Sequence, residues 1–142
     1  MPKRMRKIVE RKANDLAERV KKLLENLYYI SETDAPVSPF VGEKAEAVTK
    51  EELLRQTNNA ADTPVEERNF AEIFARLTKI QDWYGDEETE TAGKFGKLKE
   101  FLEQNLKDLK VFKVGRIQLK IYFVGLDSEG NLAGVQTESV ET

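Results

Sequence analysis

The chain of 142 residues has no cysteine and no histidine. Without cysteine there is no disulfide framework, no thiol nucleophile and no thiolate metal site. Without histidine the commonest general base and the commonest metal ligand are both missing. No serine or threonine therefore has an imidazole to activate it, and catalysis is disfavoured from the outset. No glycine-rich phosphate loop is present either: Gly93 and Gly96 fall inside a helical pattern, with no lysine-serine pair after them. Long apolar runs are also lacking. The opening Met-Pro-Lys-Arg-Met-Arg-Lys is basic, but Glu10, Arg11, Lys12, Asn14 and Asp15 interrupt the apolar residues after it. It does not read as a secretory signal, and no stretch reads as a membrane span, so the expected location is the cytoplasm.

The residues that are present suit a soluble globular domain. Hydrophobic residues make up 39% and charged residues 35%, a balance that supports one core under a well-solvated surface. The net charge of −3 argues against direct nucleic-acid binding, which usually calls for a basic surface. Residues 1–12 read as a basic extension and residues 13–142 as a single domain.

Met5, Ile8, Val9, Leu16, Val20, Leu23, Leu24 and Leu27 recur at three- and four-residue steps, which predicts one amphipathic helix over residues 5–27, ending near Tyr29. Ser31-Glu32-Thr33-Asp34-Ala35-Pro36 is turn chemistry. Val37 to Gly42 is extended and, with its proline, at best an edge strand. Thr49-Lys50-Glu51-Glu52 reads as a capping box opening a short helix through Leu53, Leu54 and Gln56. Asn58 to Pro64 reads as a loop. Asn69 caps another short helix with Phe70, Ile73, Phe74 and Leu77 on its apolar face. Asp86 opens the last helix, whose core stripe is Phe95, Leu98, Phe101, Leu102 and Leu106; Gly93 and Gly96 within it suggest close packing. Val111–Val114, Gln118–Leu126 and Asn131–Thr137 read as strands, the last two joined by the hairpin loop Asp127-Ser128-Glu129-Gly130-Asn131. Helices beside a small, mainly antiparallel sheet make an α+β layered domain.

The single tryptophan, Trp83, lies in Gln81-Asp82-Trp83-Tyr84-Gly85-Asp86-Glu87-Glu88, two bulky aromatics among carboxylates. Either the aromatics cap the core at a helix entry, or they anchor an interface whose acids steer a basic partner. Asp82, Asp86, Glu87, Glu88 and Glu90 match no cation-binding loop, and their simplest reading is favourable charge at a helix N-terminus.

Gln81-Asp82-Trp83-Tyr84 with its following acids, Lys94-Phe95-Gly96-Lys97-Leu98, Leu54-Arg55-Gln56-Thr57, the turn from Ile30 to Pro36, and the ending Gly130 to Val135 then Val140-Glu141-Thr142 together resemble the nuclease A inhibitor family. These are protein inhibitors of a sugar-non-specific DNA/RNA endonuclease. The resemblance implies an α-β-α sandwich like that of pathogenesis-related protein 1. It also implies a non-enzymatic inhibitor, needing no cofactor, that is a monomer when free and binds the active site of a magnesium-dependent endonuclease of the ββα-metal class, one to one. In that family a glutamate in the turn after the first helix, a tryptophan and a C-terminal threonine enter the nuclease cleft, the threonine reaching the catalytic magnesium. The matching positions are Glu32, Trp83 and Thr142; Asp82, Tyr84 and Glu141 beside them complete the candidate partner-binding set. The rival expectation is a non-catalytic interaction domain of the same fold with a different partner.

Overall fold

The computed structural model describes residues 15–141. The basic segment 1–12 and Thr142 lie outside the described residues. The described chain holds helix α1 over residues 15–24, then β1 (Tyr28–Ile30), β2 (Asp34–Pro36), β3 (Ser38–Lys44), α2 (Lys50–Gln56), β4 (Val65–Arg68), α3 (Phe70–Thr78), α4 (Asp86–Asn105), β5 (Lys107–Gly115), β6 (Gln118–Leu126) and β7 (Asn131–Val140). Strands β3-β7-β6-β5-β4 form one sheet in that order, every neighbouring pair antiparallel. Strands β1 and β2 form a separate hairpin.

The alternation of strand side chains assigns the two faces of the sheet. Val111, Ile121, Phe123, Ala133 and Val135 share one core with Val20 and Leu24 of α1, Phe70 and Phe74 of α3, and Phe95, Leu98 and Leu102 of α4. Phe112, Val114, Tyr122, Val124 and Leu132 belong to a second core with Leu53 and Leu54 of α2. The domain is thus mixed α+β, with helices on both faces of a five-stranded antiparallel sheet. Phe74 sits at the centre of the larger core. Its ring lies edge-on to Phe95 and Phe123 and tilted against Phe70.

Several expectations need correction. The first helix stops at residue 24, not near Tyr29. Asn26 takes a left-handed conformation (φ 55°) that a helix cannot continue through, and Tyr28 to Ile30 are already a strand. Leu27 keeps the helical spacing and is buried in the same core, so the spacing ran past the helix. Val65–Arg68, between the expected loop and the expected helix and assigned to neither, is the edge strand β4. Two strands of the sheet are longer than the sequence suggested, β5 starting at Lys107 and β7 running to Val140. Only half of the first capping box forms. The Thr49 hydroxyl accepts from the Glu52 amide at 3.2 Å, while the Glu52 carboxylate turns to Arg55 and Gln56. Those two contacts hold the Glu52 carboxyl below its usual range, the Arg55 bond being the larger cause. Close packing at the α4 glycines is not found: a Cβ on Gly93 would meet nothing, and one on Gly96 only Thr78 at 3.9 Å.

Candidate partner-binding site

The connection from α3 to α4 is tied down over residues 81–85. The Tyr84 amide donates to the Gln81 carbonyl at 3.0 Å, closing a turn with Asp82 and Trp83 at its corner. Gly85 then caps α4, its amide donating to the Glu88 carboxylate at 3.0 Å. A corner fixed in this way turns the Trp83 indole outward, and it is 74% exposed. Its ring meets that of Tyr84 edge-on, at 4.6 Å between centroids. Of the two readings of this tryptophan, a core cap and a surface anchor, the exposure removes the first. Asp82, Asp86, Glu87 and Glu88 are all exposed around it at the positive end of α4.

Trp83 and Tyr84 line an open groove of about 270 Å³, together with Leu77 and Phe95. Tyr28 and Ile30, residues two apart on β1 whose side chains share a face, line it too. Ile30 is 67% exposed, an unusual place for an isoleucine in a three-residue strand. Just past it comes the β1–β2 turn, residues 31–33, with Glu32 exposed at its tip. The Ser31 amide and hydroxyl both donate to the Thr33 carbonyl, each at 3.0 Å, which keeps the turn tight.

The same Ser31 hydroxyl accepts from the Val140 amide at 3.1 Å, 109 residues on, and so fastens the turn to the end of β7. There the chain is held again. The Glu141 amide donates to the Ile117 carbonyl at 2.9 Å, and the Glu141 carboxylate receives Lys113 Nζ at 3.0 and 3.2 Å and the Ser139 hydroxyl at 2.8 Å. Burial pushes the Glu141 carboxyl up, but the bonds from Lys113 and Ser139, with the charges of Lys113 and Arg68, outweigh it and leave it below the usual carboxylate range. Much of the bonding capacity of Glu141 is therefore spent inside the chain.

One end of the molecule thus joins Trp83, the Glu32 turn and the end of β7, with Ile30 and Ser31 as the links. Thr142, the remaining position carried over by resemblance, follows directly on Glu141 and is outside the described residues. Sequence reasoning missed Ile30, Ser31, Lys113 and Ser139. Only Lys113 left a signal, as a lone charge inside the apolar run Val111-Phe112-Lys113-Val114. Among the described residues, no group of three or more carboxylates could hold a metal ion, those of residues 82–90 included. No described helix is long and apolar enough to cross a membrane. No curated protein sequence matches the chain significantly. A family model described as nuclease A inhibitor-like protein matches residues 14–142, nearly the whole chain.

Proposed function

The chain belongs to the nuclease A inhibitor-like family, and on that premise we propose that it binds and blocks the active site of a magnesium-dependent, sugar-non-specific DNA/RNA endonuclease. The observation that carries the reading is the double linkage of the β1–β2 hairpin. Ile30 lines the same groove as Trp83, and Ser31 bonds to the end of β7. An interface that uses Glu32, Trp83 and Thr142 together needs those segments on one end of the molecule.

Each takes a separate part. Trp83, flanked by Tyr84, is the apolar anchor. Glu32 occupies the place of a substrate phosphate against cationic groups of the cleft, and Asp82 with its neighbouring acids steers the approach. Thr142 offers oxygen donors, the type magnesium accepts, to the nuclease's metal, directly or through a metal-bound water. The protein itself is a monomer when free and binds one nuclease. It carries out no reaction, needs no cofactor, contacts neither nucleic acid nor membrane, and works in the cytoplasm. The helix–sheet–helix layering supports assigning the fold to the sandwich of pathogenesis-related protein 1.

The test is plasmid cleavage by a magnesium-dependent, non-specific endonuclease of the ββα-metal class with increasing amounts of the purified protein. Cleavage should stop near equimolar protein. Glu32→Gln, which keeps the shape and removes the charge, should flatten the salt dependence of association. Undiminished cleavage at high excess rejects the inhibitor reading, and an unchanged salt slope rejects the phosphate-mimic role of Glu32.

A further inference from the structure

We propose that Lys113, with Ser139 and Glu141, is a positioning device that sets the direction in which the chain leaves β7, and so presents residue 142 to the partner; this rests on the inhibitor reading above. Lys113 lies within the sheet on β5, paired with Ile121 on one side and Glu66 on the other, on the face that carries Val111 and the larger core. It is only 7% exposed. A lysine so placed gives up most of its hydration, while Glu141 keeps 40% of its side chain exposed; losing one partner of such a pair is costly, but an apolar residue in place of Lys113 could fill the sheet about as well. The fold does not by itself require a lysine here.

Geometry supplies a reason for one. The ladder between β6 and β7 ends at the pair Gln118–Val140. Beyond it, among the described residues, the main chain is held by the bond from the Glu141 amide to Ile117. A single bond leaves the peptide free to swivel. The Glu141 side chain removes that freedom: both its oxygens are taken by Lys113 Nζ, and one also by the Ser139 hydroxyl, whose residue is 1% exposed. Side chain and backbone of Glu141 are then pinned to two different places, β5 and the β5–β6 turn, while Ser31 holds Val140 from the hairpin. A tail fixed at its root loses less freedom when it docks, which favours binding without adding a contact. Lys113 touches no partner in this scheme and acts only through Glu141.

Two measurements test it. Amide hydrogen exchange of the free protein needs no nuclease. In Lys113→Met the amides of Val140 and Glu141 should exchange about tenfold faster or more, while that of Val135 in the same strand is unchanged. Inhibition is then read as a double-mutant cycle. Lys113→Met should weaken inhibition about tenfold in the native background but less than about twofold in a Thr142→Gly background, since both changes remove the same contribution. Lys113→Arg should recover part of the loss. If Lys113→Met fails to fold, Ser139→Ala, which removes one bond of the same set, takes its place in both measurements. Unchanged exchange at Val140 and Glu141 overturns the clamp, and an equal loss in both backgrounds overturns its role in presenting residue 142. A native chain that inhibits no nuclease removes the inhibitor reading instead, and the exchange measurement alone then sustains or overturns the clamp.

Discussion

Replacing Trp83 by alanine should separate binding from stability. A tryptophan side chain offers up to about 250 Å². With 74% of it exposed, about 65 Å² is covered in the free protein, equivalent to roughly 1.6 kcal/mol at about 25 cal/mol per Å². That figure is an upper bound, because an unfolded chain also covers part of its apolar surface. For a domain of this size it corresponds to a fall in Tm of no more than about 5 °C. A buried tryptophan would instead cost about 3–5 kcal/mol on truncation. Docking has the remaining surface to cover, about 185 Å², so the loss of binding should reach about 2 kcal/mol or more, as for interface anchors. Because Trp83 is the only tryptophan, its fluorescence reports on it alone. Emission of the free protein should be red-shifted and easily quenched by acrylamide, then blue-shifted and protected in the complex. Calorimetric titration against the nuclease gives the affinity of Trp83→Ala, and a thermal melt gives its stability. A fall in Tm beyond about 10 °C with affinity intact would refute the anchor reasoning.

Three further outcomes rest on packing and charge. Phe74, fully buried among three other phenylalanines, should cost about 3–5 kcal/mol on Phe74→Ala, read by urea unfolding. Gly134 has a φ of +156° and a Cβ there would collide with the Phe123 carbonyl oxygen, so Gly134→Ala should sharply reduce the yield of folded protein in a circular-dichroism melt. The Glu141 carboxyl is held below its ordinary value of 4.5, so its contribution is fully present above that value and is lost as pH falls through the lowered one. Glu141→Gln should therefore lower Tm near neutrality, and the gap from the native chain should close at acid pH; a gap independent of pH would rule out the ionic contribution of Lys113.

The elements the sequence displayed most clearly were those whose side chains face one way and whose ends carry caps. Asn69 caps α3 through a 3.0 Å bond to the Glu72 amide, and Phe70, Ile73, Phe74 and Leu77 all fall on its inner side. Strand β4 was hidden because Val-Glu-Glu-Arg has one partly covered residue and three exposed ones. An edge strand so charged discourages further pairing, and it leaves no alternation to read. The end of α1 was hidden for the opposite reason: Leu27 belongs to the core but not to the helix. At the site, the acidic neighbours of Trp83 left a core cap and a surface anchor both open, and only the family pattern pointed to the anchor. The groove was not readable, since two of its lining residues, Ile30 and Trp83, are 53 residues apart. Lys113 could not be matched with a carboxylate 28 residues away until the strands were in register.

The strand order has a consequence for how the molecule is made. Of the strands in the sheet, β7 is the last to be synthesised, yet it lies inside, between β3 and β6. A chain emerging from the ribosome has β3 early and must keep it without that partner until residues 131–140 have been made. Contacts that span so much sequence form slowly. A chain cut short or stalled before β7 can pair β4, β5 and β6, but it leaves a bare edge on β6 and cannot bring in β3. The strand that completes the sheet is also the one that ends beside the Glu32 turn. Completion of the sheet and attachment of the Glu32 turn to it are then one late event, and a copy that stops before β7 has neither.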